Sequence, residues 1–104
     1  MLDLRSGTFQ LVSQSGRVNI FQYDEVTSVG WVIGSVRRML LDERDICAPE
    51  RDIQLFKGRG SGGTHRRLRK MHVKLYDVFD GLEDTEKLIH WQHVPAQARS
   101  RSRN

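Results

Sequence analysis

Between residues 53 and 76 the chain has no aspartate and no glutamate, and from 57 to 75 it has no aromatic residue. Cysteine is reduced to Cys47 alone, so no disulfide can form within the chain, and a small disulfide scaffold is excluded. No apolar run approaches the roughly 18 residues of a membrane span. Met1-Leu2-Asp3-Leu4-Arg5-Ser6 lacks the basic-then-apolar order of a secretory leader. These absences point to an intracellular setting, cytoplasmic or nuclear. Pro49 and Pro95 are the only prolines, and each ends the element before it.

In place of the missing carboxylates stand seven cations: Lys57, Arg59, Arg66, Arg67, Arg69, Lys70 and Lys74. They surround a glycine-rich stretch, Gly58-Arg59-Gly60-Ser61-Gly62-Gly63, in a basic loop expected at 58–70. The ten residues from Asp77 to Glu86 reverse the pattern, with Asp77, Asp80, Glu83, Asp84 and Glu86 and no base. The formal charge of +4 is therefore a local surplus. Such a surplus suits an anionic partner: an acidic protein face, a nucleic acid, or the acidic turn of a second copy in self-association.

At 104 residues the chain is sized for one domain with one modest core. That domain is expected over 1–95, followed by a disordered basic tail at 96–104. Thr8–Ser13 and Val18–Tyr23 alternate like strands, and Ser13-Gln14-Ser15-Gly16-Arg17 between them reads as a hairpin loop with Gly16 at positive φ. Val29, Val32, Ile33, Val36, Met39 and Leu40 recur at helical spacing and share one face. Caps are available from Asp24 to Ser28, and the helix is expected to end near Asp45, ahead of Pro49. Gly30 and Gly34, four apart on the helix, would let a neighbouring backbone come close, as for a helix lying on a sheet. Ile53–Phe56, Met71–Tyr76 and Leu88–Val94 read as three further strands, with a turn at Asp80-Gly81.

That order resembles ubiquitin-like β-grasp domains. The resemblance is carried by Phe9-Gln10-Leu11-Val12 with Ser15-Gly16-Arg17 and Val18-Asn19-Ile20 in the opening hairpin. Thr27 with the stripe from Val29 to Val36, Ile46 with Pro49 at the helix exit, Ile53-Gln54-Leu55-Phe56-Lys57-Gly58, and Leu88-Ile89-His90-Trp91 complete it. It spans roughly residues 8–94 and implies an α+β fold: a mixed sheet of four to five strands packed on one long helix. The family's conjugated members end in Gly-Gly, whereas this sequence ends Arg99-Ser100-Arg101-Ser102-Arg103-Asn104. The resemblance thus implies a non-conjugated module for protein–protein interaction, an adaptor rather than a modifier.

No catalytic constellation accompanies the fold, and no cofactor is implied. Gly58-x4-Gly63 is followed by Thr64 and His65 where a phosphate-binding loop needs Lys and then Ser or Thr, so an NTPase is excluded. His65, His72, His90 and His93 have no second cysteine or fixed carboxylate to complete a zinc site, and His90 and His93 fall on opposite faces of their strand. Cys47 is expected to be a small buried hydrophobe. The candidate contact residues are therefore the seven cations and Trp31, which lies off the apolar helical stripe. The alternative function is a small basic RNA-binding protein, viral or ribonucleoprotein-associated. Without aromatics in the basic run, such binding would follow the phosphate backbone rather than the bases.

Overall fold

The computed structural model describes residues 7–58 and 66–95. Strands β1 (Gly7–Val12) and β2 (Val18–Tyr23) form an antiparallel hairpin in which Phe9 faces Phe21 and Val12 faces Val18. The Ser13 carbonyl accepts from the Gly16 amide at 2.9 Å, and Gly16 takes φ 93°, where a side chain would be strained. The expected hairpin loop is therefore present.

Helix α1 (Val29–Arg44) follows, with Ser28 as its N-cap: the hydroxyl accepts from the Trp31 amide at 3.3 Å. Val29, Val32, Ile33, Val36 and Leu40 are buried along one stripe, as their spacing requires, and Met39 packs partly against them. Asp45 closes the helix in the left-handed region, its amide donating to Leu40 and Leu41. A single turn at Glu50–Asp52 leads into β3 (Ile53–Lys57), β4 (Arg66–Leu68) pairs beside it, and the short helix α2 (Leu75–Val78) precedes a turn at Asp84–Glu86 and β5 (Leu88–His93).

The strands lie in the order β2-β1-β5-β3-β4. β1 and β5 run parallel and every other pair is antiparallel. This mixed five-stranded sheet against one long helix is the α+β, β-grasp arrangement that the resemblance implies. Phe9, Leu11, Leu55 and Ile89 on the helix side of the sheet are almost wholly buried, together with Leu75 and the α1 stripe. Phe9 stands at the centre of an aromatic cluster, 5.9 Å from Phe21, 6.0 Å from Tyr23 and 5.7 Å from Phe79 between ring centroids.

Two expectations need correction. Met71–Tyr76 is not a strand of the sheet. Its backbone serves the start of α1: the Val29 amide donates to the Val73 carbonyl and the Gly30 amide to the Met71 carbonyl, each at 2.9 Å. Leu75 N–H returns a bond to Thr27, and Ser28 bridges to Lys74. The first amides of a helix have no partner within it, and this strap supplies them. The fourth strand is instead Arg66–Leu68, so the stretch expected as a basic loop at 58–70 contains a strand. Cys47 is exposed rather than buried, because after the helix cap the inward positions fall to Ile46 and Ala48.

The strap also separates the two helix glycines. A side-chain methyl at Gly30 would meet the Met71 carbonyl oxygen at 3.3 Å, whereas one at Gly34 would touch nothing within 4 Å. The close backbone approach is thus real at Gly30, to the strap rather than the sheet, and absent at Gly34. Gly34→Ala is expected to stabilise the fold by about 1 kcal/mol, the ordinary helix gain. Gly30→Ala is expected to gain less or to lose stability. Urea unfolding of the two variants side by side measures the contrast.

Candidate functional site

Four segments converge at one end of the sheet. Lys57 closes β3, Arg66, Arg67 and Leu68 form β4, Arg69 and Lys70 continue from it, and Val73, Asp77 and Val78 come from the strap and α2. With Val29 from the start of α1 they line an open groove of ≈ 390 Å³. Val29, Leu68, Val73 and Val78 supply an apolar floor. Lys57, Arg66, Arg67, Arg69 and Lys70 supply the rim, and Asp77 is the carboxylate among them.

Five of the seven candidate cations are therefore brought together. Lys74 points elsewhere, its ammonium donating to the Val26 carbonyl at 3.4 Å. Arg59 lies outside the described residues, as do His65 and the expected tail at 96–104. Among the described residues the rim cations make no ion pair; the pairs present are Arg17–Glu43, Arg37–Glu50 and Lys87–Asp84.

Strand register adds a local cost. Lys57 and Arg66 sit directly opposite each other in the β3–β4 pair. Like charges placed directly opposite destabilise a sheet. They share the helix side with their neighbours Leu55 and Leu68, also paired, while Arg67 pairs with Phe56 on the solvent side. Local rules broken without compensation inside the fold are commonly found where a partner binds.

The acidic turn is largely occupied with its own structure. The Glu86 carboxylate accepts from the Glu83 amide at 3.1 Å in a capping box, and Asp84 accepts from the Lys87 ammonium at 3.1 Å. Lys87 also lies 5.6 Å from the centre of the Tyr23 ring. The Tyr23 hydroxyl, and after it Asp84, raise the Lys87 pKa above its ordinary value. Lys87 thus pins the turn to the core.

Trp31 is 46% exposed and meets Phe21 edge-on at 6.0 Å. It borders a second open groove with Gly34, Ser35, Arg38 and Met39. Because Phe21 belongs to β2, this surface lies at the sheet edge opposite β4, and the structure does not join Trp31 to the cations. A third surface is the solvent side of the sheet, where Val18, Val12, His90, Phe56 and Arg67 form one row across all five strands. Ile20 projects beside that row at 70% exposure. The strand alternation contained that face, but strand order was needed to assemble it.

Comparison with known proteins adds the fold. No family model matches the sequence, and no curated protein does. Among solved structures, a ubiquitin-like protein from Trypanosoma brucei is similar over 86% of this chain and 94% of that one, with a TM-score of 0.51 and 14% identity. At that identity the likeness concerns architecture, and the architecture is ubiquitin-like.

Proposed function

We propose that this ubiquitin-like β-grasp domain is a non-enzymatic, non-conjugated interaction module that docks an acidic protein segment in the groove beside β4. One observation carries the reading: five cations rim a single groove with an apolar floor and make no ion pair among the described residues. Unpaired cations attract an anionic partner from a distance, and an apolar floor rewards a partner that also brings a hydrophobic side chain. Among the described residues no helix is long and apolar enough to cross a membrane, and the reading places the module inside the cell.

A nucleic acid is the weaker fit. Among the described residues no aromatic side chain lines the groove to stack a base, and valines offer a phosphate backbone nothing. The test is fluorescence anisotropy with a labelled acidic peptide containing valine, single-stranded RNA and duplex DNA, each across a salt series. The peptide is expected to bind, to weaken as salt rises, and to keep part of its affinity through the apolar floor. Absence of peptide binding at low salt, or tighter binding of RNA with a steep salt slope, would sink the reading.

A further inference from the structure

We infer that the occupant of the groove is an extended segment that adds to the free edge of β4 as a sixth strand, with a neighbouring apolar residue and two acids in register with Leu68, Arg67 and Arg66. This rests on the interaction reading above and specifies its geometry. Among the described residues β4 is a terminal strand of the sheet and pairs with β3 alone. Along such an edge, alternate residues direct their N–H and C=O groups away from the sheet, where another strand can take them up.

The side chains of β4 then dictate the composition of the newcomer. Arg66 and Leu68 face the helix side and Arg67 the solvent side. The residue opposite Leu68 would lie over Leu68, Val29, Val73 and Val78 and is best apolar. The residue opposite Arg66 would meet Arg66 and Lys57, which repel one another, and a carboxylate there relieves that repulsion. The residue opposite Arg67 is again best acidic, with Arg69 and Lys70 adding to the field. The pattern is one apolar residue followed by two acids for antiparallel addition, and the reverse order for parallel addition. The backbone bonds hold the segment, and the alternating side chains select it.

The probe is a labelled nine-residue peptide with Val-Glu-Glu at its centre, flanked by serine and glycine, beside the Glu-Glu-Val peptide. Two further versions of the tighter binder carry backbone N-methyl groups, one on the middle residue of the motif and the other on its two neighbours. An added strand uses the N–H groups of alternate residues. One methylation pattern is therefore expected to weaken binding at least about tenfold, while the other leaves it nearly unchanged.

Equal behaviour of the two methylated peptides would overturn strand addition and leave the interaction reading standing, as would binding of a valine-free acidic peptide as tightly as the motif. If no acidic peptide binds at low salt, or if single-stranded RNA binds in preference, both the strand and the reading beneath it fall.

Discussion

Converting Arg66, Arg67 and Arg69 to glutamate is expected to remove capture of an acidic partner without harming the fold. The three side chains are exposed and make no ion pair among the described residues. Five cations and one carboxylate around the groove become two cations and four carboxylates, so attraction becomes repulsion. For a protein partner the association rate is expected to fall by about 10–1,000-fold, with a smaller change in dissociation, since rim charge acts mainly on encounter. For a nucleic acid the same change would abolish binding outright, with loss of the salt slope contributed by each phosphate contact. Stopped-flow association at several salt concentrations separates the two outcomes. The variant is also expected to be at least as stable as the parent. At position 66 a carboxylate would face Lys57, replacing a like-charge pair by an opposite one. Loss of binding accompanied by a large fall in stability would mean that these arginines build the sheet and would remove the case for a site.

Phe9→Ala is expected to have the largest effect on the fold. Phe9 is 1% exposed and touches three other aromatic rings contributed by β2 and by the end of α2. Truncating such a residue costs about 3–5 kcal/mol, combining lost transfer energy with a cavity that neighbours fill only in part. Whole domains have about 5–15 kcal/mol in hand. At roughly 4–8 °C per kcal/mol for a domain near this size, the thermal midpoint should drop by about 12–40 °C. Circular dichroism melts measure it. A drop of a few degrees would mean that the aromatic cluster is loosely packed and that the core is organised elsewhere.

The hairpin, α1, β3 and β5 were legible in the sequence because each carries its own periodicity over five or more residues. β4 was not. It is three residues long, two of them arginine, and an edge strand needs no apolar alternation to hold its place. Met71–Tyr76 misled for the opposite reason. Its alternation is genuine, since Met71, Val73 and Leu75 all pack on the core, but its hydrogen bonds go to the start of α1. Side-chain pattern reports which residues point inward and says nothing of which backbone they pair with. The cations of the groove were visible as composition. Its floor was not, because Val29, Leu68, Val73 and Val78 meet only once β4 and the strap are in place.

The position of β5 has a kinetic consequence. It is the middle strand of the sheet, yet it joins β1 across nearly eighty residues of chain, from Gln10 to Leu88. Until residues 88–93 have left the ribosome, β1–β2 and β3–β4 can form only as separate ribbons, each with an unpaired apolar edge facing the gap. Closing that gap is a long-range event, which slows folding and leaves sticky edges open meanwhile. The nascent chain thus has a vulnerable interval that ends when its central strand arrives, and an isolated fragment stopping short of residue 88 would remain in it.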